Sequence, residues 1–258
     1  MSFVSVPLTI RTETQEFRDD ASLDVETMVD TLRSTKGRSY SACPSVADWE
    51  RAFGEDDDVL AFTITSGLSG SFRAACAAKL NCEENSPSRR ICIIDSLSTG
   101  PEIVLLIEKA VSELSAGADF DAVCRSVQDY QRRTHLIFAL ESLHNLAQNG
   151  RVGKLAAAAA GMLGIRAVGT TSDEGTLDLL GKCRGRKRAV DFLQEEMERL
   201  GYTGGCVRIG HCRNTDSAGE LRTAILHRFP GANIRIYPLR GLCSYYAECG
   251  GVLVGFEA

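Results

Sequence analysis

One junction constrains this chain more than any other. The apolar, β-prone run 59–65 stops at Ser66-Gly67-Leu68-Ser69-Gly70-Ser71 and opens at once into an alanine-rich helical stretch, 72–80. Gly67 and Gly70 permit a sharp turn and close approach to a ligand. Ser66, Ser69 and Ser71 supply helix caps and hydroxyl groups. The first N–H groups of a helix have no partner within it and sit at the positive end of its dipole. Such a junction suits a phosphate or a carboxylate. The nucleotide pattern GxxxxGK[ST] is absent, which favours a simpler anion.

The same strand–turn–helix grammar repeats. Ile91-Cys-Ile-Ile-Asp95 reads as a strand buried on both faces. It ends in a second polar turn, Asp95 to Gly100, followed by a helix over 101–116 with Pro101 at its first position. A further helix is expected over 119–133 and a third strand over 134–140. Upstream, 4–12 reads as a strand, 23–35 as a helix, 38–45 as a loop, and 46–53 as a helix capped by Ser45. Steady alternation predicts an α/β layer domain. Ligands of such sheets sit at the carboxyl ends of strands, where Ser66 and Ser96 both lie.

The second half has another rhythm. A helical stretch, 141–149, precedes a nearly all-apolar run, 154–163, with five consecutive alanines, expected as a buried helix. Strands over 165–171 and 177–183 flank a Ser-Asp-Glu-Gly turn. Helices over 189–200 and 217–229 alternate with strands over 206–211, 234–238 and 251–256. The expected division is an N-terminal parallel α/β domain, residues 1–149, carrying the anion-binding turn. Residues 150–258 form a C-terminal α+β domain that supplies apolar walls through 155–165, Val168, Leu177 and Leu179.

Composition removes several classes. A net charge of −5 over 258 residues argues against nucleic-acid binding as the main role. No apolar run approaches the ~18 residues of a membrane span, and the first residues lack a signal-peptide pattern. A cytoplasmic protein is the expectation. Ten cysteines are scattered without CxxC or zinc spacing, and the four histidines are dispersed, so no metal site and no cofactor are expected.

Five motifs stand in order: Thr65-Ser66-Gly67-Leu68-Ser69-Gly70-Ser71, Ile94-Asp95-Ser96, Asn149-Gly150-Arg151-Val152-Gly153-Lys154, Gly181-Lys182-Cys183-Arg184-Gly185-Arg186-Lys187 and Gly250-Gly251-Val252-Leu253-Val254-Gly255-Phe256. Together they resemble the DegV family over nearly the whole chain. The resemblance implies a bacterial two-domain α/β protein that binds one long-chain fatty acid, C16–C18, with the carboxylate near the Ser/Gly helix start. It also implies presentation of that fatty acid to a separate fatty acid kinase for phospholipid synthesis, the carrier having no catalytic residues. The positions it marks for the ligand are Ser41, Ser66, Ser69, Gly70, Ser96, Arg151 and Tyr246. Arg184, Arg186 and Lys187 become a candidate docking patch for the kinase, since a basic cluster on an acidic chain steers acidic partners.

The chain departs from the family pattern in three places. The family's usual first strand, ending in Thr-Asp-Ser, precedes what stands first here; either the start is set late or the first domain lacks a strand. A histidine near the final glycines that contacts the carboxylate in lipid-binding members aligns with Tyr246 or Ala247. The family threonine of the first loop falls on Ser41. Two other readings stay open: a non-lipid regulatory binding protein with the same fold, and a serine hydrolase built on Gly67-Leu68-Ser69-Gly70-Ser71, in which Ser71 stands where GxSxG needs glycine. For single residues the alternatives are plain: Ser69 as a helix cap, Ser96 as a strand-end cap, Arg151 in a structural pair, and 184–188 as a solvated strand end.

Overall fold

The computed structural model describes residues 1–35, 37–155 and 164–258. The expected apolar helix over 154–163 lies outside the described residues from 156 on. The described residues form three sheets and nine α-helices. A small antiparallel sheet has the order β2–β1–β3, with β1 Thr9–Arg11, β2 Glu16–Arg18 and β3 Tyr40–Ala42. β4 Asp58–Thr63 and β5 Arg90–Asp95 form a parallel pair. The large sheet has the order β10–β9–β11–β6–β7–β8, from β6 Thr134–Leu140, β7 Ile165–Thr171, β8 Leu177–Arg184, β9 Cys206–His211, β10 Asn233–Pro238 and β11 Val252–Glu257.

The helices form where local chemistry starts them. α1 (Val25–Ser34) is capped by Asp24, and α2 (Val46–Phe53) by a capping box between Ser45 and Asp48. α3 is Ser71–Asn85, and α4 (Pro101–Ser115) opens on its proline. α5 (Phe120–Gln131) is capped by Asp119, and α6 (His144–Gln148) is a single turn. α7 (Arg186–Arg199) begins three residues earlier than expected and takes up Arg186 and Lys187 of the basic cluster, while Arg184 ends β8; α8 is Thr215–Arg228. α9 (Gly241–Ala247) stands where no element was expected.

The α/β class stands, as does the parallel pairing of the strands that lead into the two polar turns. The strand at 134–140 is placed differently from its reading as a third strand beside them. β6 lies inside the large sheet, antiparallel to both β11 and β7. Its alternation explains why: Leu136, Phe138 and Leu140 enter one core, while Ile137 and Ala139 enter another on the opposite face. A strand that must serve two cores belongs in the middle of a sheet. α7 and α8 cover the second face. α4 crosses the first, seated so closely that a Cβ on Gly255 would lie 2.5 Å from the Glu102 backbone nitrogen.

Glu102 itself is buried at 4% exposure, where Thr134 Oγ1 donates to its carboxyl at 2.7 Å. Burial pushes its pKa up, and the neighbouring Ser98 and Thr134 hydroxyls offset this only in part. A carboxyl whose folded pKa is raised favours the fold in acid and loses that contribution as pH rises from its unfolded value of 4.5 through the folded one. Glu102→Gln is therefore expected to leave stability unchanged below pH 4.5 and to raise it at pH 8. Urea unfolding at the two pH values checks this, and an equal effect at both would refute it.

Candidate functional site

Between the small sheet with α9 and the inner face of the large sheet lies a cavity of about 310 Å³. Its walls are apolar and come from both halves of the chain. β6 lends Leu136, Phe138 and Leu140, β8 lends Leu177 and β11 Leu253, and Leu146 and Leu242 come from α6 and α9. The expected walls divide. Leu177 lines the cavity and Leu155 is fully buried in the same core, whereas Leu179 packs against that core without lining the cavity. Val168 faces the other core, because it shares the outer side of the sheet with Ile137 and Ala139.

Polar groups gather at one end. Ser41 of β3, Ser69 and Gly70 of the glycine turn, Arg151 and Tyr246 of α9 all line the cavity, brought together from four separated stretches. The Ser41 and Tyr246 hydroxyls are hydrogen-bonded at 2.7 Å. Burial pushes the Tyr246 phenol pKa up, although the Ser41 bond and the nearby Arg151 oppose it, so it stays a neutral donor. Arg151 Nε donates to Leu68 O at 2.8 Å and Nη1 to Asn149 O at 3.2 Å. Its guanidinium lies 5.7 Å from the centre of the Tyr246 ring. Two backbone acceptors and one aromatic face thus fix the cation's plane. Among the described lining residues Arg151 is the single charged side chain.

The glycine turn is held from the far side. Thr65 Oγ1 donates to Gly175 O at 2.8 Å and accepts from Gly67 N at 3.0 Å. Gly67 packs against the β7–β8 turn so tightly that a Cβ there would lie 2.8 Å from Gly175 O. Gly70 caps α3 without a side-chain bond of its own, Ser69 Oγ accepts from Ser71 N at 3.2 Å, and the turn lines the cavity through Ser69 and Gly70. That arrangement favours an anion.

Ser66 and Ser96 are not among the lining residues, and their bonds say why. Ser66 N donates to Asp95 Oδ1 at 3.0 Å, which turns the residue toward β5. Ser96, 1% exposed, closes a local turn with Ser98 through both its hydroxyl and Ser98 N. Both serines shape the turns that carry the site. The basic cluster lies elsewhere: Arg184, Arg186 and Lys187 are exposed, and Arg186 is paired with Asp216 and Glu220 at 2.8 Å each.

Thr65, Thr99, Cys43 and Cys243 also line the cavity and were not anticipated. Burial pushes the Cys243 thiol up to about 11, with Thr99 Oγ1 3.6 Å away. The inner face of β6 could have been found from its alternation; α9 carries no comparable signal. The hydrolase reading lacks a base, since no histidine is among the described lining residues and Ser69 Oγ instead accepts from Ser71 N at 3.2 Å. Among the described residues no cluster of three or more acidic, histidine or cysteine side chains is placed to hold a metal ion, and no helix is long and apolar enough to cross a membrane.

The sequence matches the family model described as an uncharacterised protein, DegV family, over residues 2–257. A DegV domain-containing protein of Streptococcus pneumoniae is 44% identical, with 99% of this chain and 91% of that protein covered. The structure of the Fatty Acid Kinase (Fak) B3 protein of S. pneumoniae, loaded with linoleic acid, superposes with a TM-score of 0.96 at 44% identity, covering 99% of this chain and 91% of that one. A DegV family protein from Eubacterium eligens, loaded with heptadecanoic acid, gives 0.94 at 43% identity, covering 98% and 92%. A family model matched over residues 2–257, with a relative 44% identical over 99% of this chain, makes this chain a member of the DegV family.

Proposed function

We propose that this protein binds one long-chain fatty acid, C16–C18, and presents its carboxylate to a fatty acid kinase. One observation carries the reading. A cavity walled by leucine and phenylalanine gathers, among the described lining residues, a single guanidinium, the hydroxyls of Ser41, Ser69 and Tyr246, and the Gly70 backbone at a helix start. That is the polarity profile of an amphiphile with one anionic head. The carboxylate takes donors from Ser41, Ser69, the Gly70 amide, Arg151 and Tyr246. Burying a C16 tail supplies on the order of 10 kcal/mol before ordering costs, at ~0.8 kcal/mol per methylene. That is enough to hold the lipid away from water. The two similar structures loaded with heptadecanoic and linoleic acid support the tail length. The exposed Arg184 and Lys187 remain the proposed kinase-facing charges, and the cytoplasm the proposed location.

Native mass spectrometry of the purified protein, followed by denaturation and lipid extraction, tests the reading. One bound C16 or C18 acid is the expected result. A protein that stays empty after incubation with fatty acids would overturn it in favour of a non-lipid regulatory role. Within the site, Ser69→Ala is expected to weaken palmitate binding about tenfold, or about 1.4 kcal/mol, by removing one donor to a charged acceptor. Unchanged affinity by isothermal calorimetry would remove Ser69 from the site.

A further inference from the structure

Outside the acyl cavity, next in sequence to its polar residues, four side chains close a hydrogen-bonded circuit: Ser39, Gln148, Asn149 and Tyr245. None of them lines the cavity. Asn149 Nδ2 donates to Asn145 O and to the Tyr245 hydroxyl at 2.8 Å each, with Ser39 O at 3.3 Å. Two of those neighbours are backbone carbonyls, which only accept, so the amide nitrogen faces the circuit and the amide oxygen does not. The remaining bonds then have one direction. The Tyr245 hydroxyl accepts from Asn149, so its own proton points to Ser39 Oγ at 2.9 Å. Ser39 Oγ donates to Gln148 Oε1 at 3.2 Å, and Ser39 N donates to the same oxygen at 3.0 Å. Gln148 and Asn149 are neighbours in the chain, which closes the loop. Tyr245 and Ser39 are both buried, so losing one of these bonds leaves a buried group short of a partner.

The members of the circuit stand beside the proposed head donors in sequence. Ser39 precedes Ser41 by two residues, Asn149 precedes Arg151 by two and Tyr245 precedes Tyr246 by one. The three stretches that meet at the head are thus the three that the circuit joins. The links across are short. Arg151 Nη1 donates to Asn149 O at 3.2 Å, and the Tyr245 and Tyr246 rings pack edge to face with centroids 4.7 Å apart. Donors that must be ordered when a ligand arrives subtract that ordering from its affinity, and donors already placed do not. We propose that Asn149 and the Tyr245 hydroxyl are positioning residues for the lipid head, holding Ser41, Arg151 and Tyr246 at fixed mutual spacing before the carboxylate enters. The proposal rests on the fatty-acid reading and adds to it two residues outside the cavity.

A circuit that only fastened the fold would serve tail and head alike. The test therefore compares two ligands with the same tail: palmitate, and 1-hexadecanol, which lacks the charge. Tyr245→Phe keeps the buried aromatic ring and removes one hydroxyl. It is expected to raise the palmitate dissociation constant about fivefold, and Asn149→Ala about tenfold, while the hexadecanol constant changes less than about twofold in both. In an Arg151→Ala background, Asn149→Ala should cost only about threefold, because one of the groups it steadies is gone. Should Asn149→Ala fail to fold, Tyr245→Phe carries the comparison. Palmitate affinity unchanged in both variants, or equal losses for the two ligands, would overturn the proposal and leave the fatty-acid reading intact. A wild-type protein that binds neither ligand would bring down both.

Discussion

Gly175→Ala is expected to destabilise the protein by about 3 kcal/mol. Two costs combine. Gly175 has φ +73°, where a Cβ carries a backbone penalty of about 1 kcal/mol. The same Cβ would lie 2.0 Å from Thr65 Oγ1, so the bond from Thr65 to Gly175 O cannot survive unmoved, for about another 1–3 kcal/mol. At this chain length the melting temperature should fall by roughly 6–12 °C. Gly54→Ala is the control, with φ +55° but nothing within 4 Å of the added Cβ. It should cost the backbone share alone. Equal melting temperatures for the two variants would show that the contact between the glycine turn and the β7–β8 turn contributes nothing.

Arg151→Ala is expected to raise the dissociation constant for palmitate about a hundredfold, equivalent to about 2.7 kcal/mol. It removes the one charged side chain among the described lining residues, and with it the anchor on Leu68 O that steadies the Ser69-Gly70 backbone. Arg151→Lys should recover only part of the loss. An ammonium keeps the charge but not the planar fork that two carbonyls and the Tyr246 ring hold in place. Calorimetric titration of all three proteins measures the series. Affinity unchanged in the alanine variant would confine Arg151 to a structural role.

Elements with local signals were legible in the sequence. The β4–α3 junction, the Ser45 cap and the proline at the start of α4 each depend on residues a few positions apart, and each stands where it was expected. Features set by distant pairing were not. β1 lies within the strand expected over 4–12, but β2 and β3 hold only three residues each and exist through hydrogen bonds to β1, so 38–45 read as a loop. β6 was visible as a strand, but its neighbour β11 lies more than a hundred residues further on, and pattern alone could not assign the sheet. The site divides the same way. Ser69, Gly70 and Arg151 sit in motifs with their own backbone chemistry. Ser41 and Tyr246 meet as partners across 205 positions, a pairing no local pattern encodes. Ser66 and Ser96 were drawn toward the site by their motifs, whereas their hydrogen bonds commit them to the turns beneath it.

The bond between Ser41 and Tyr246 bears on how the protein is made. At ~5–20 residues per second, a ribosome needs roughly 10–40 seconds to travel from one codon to the other. Throughout that interval the nascent chain holds Ser41 and the glycine turn but no α9, and the polar end of the cavity lacks a wall. A growing chain therefore has no complete seat for a lipid head. Cargo loading becomes a report that translation has passed Tyr246, and a fragment released early should leave the ribosome empty.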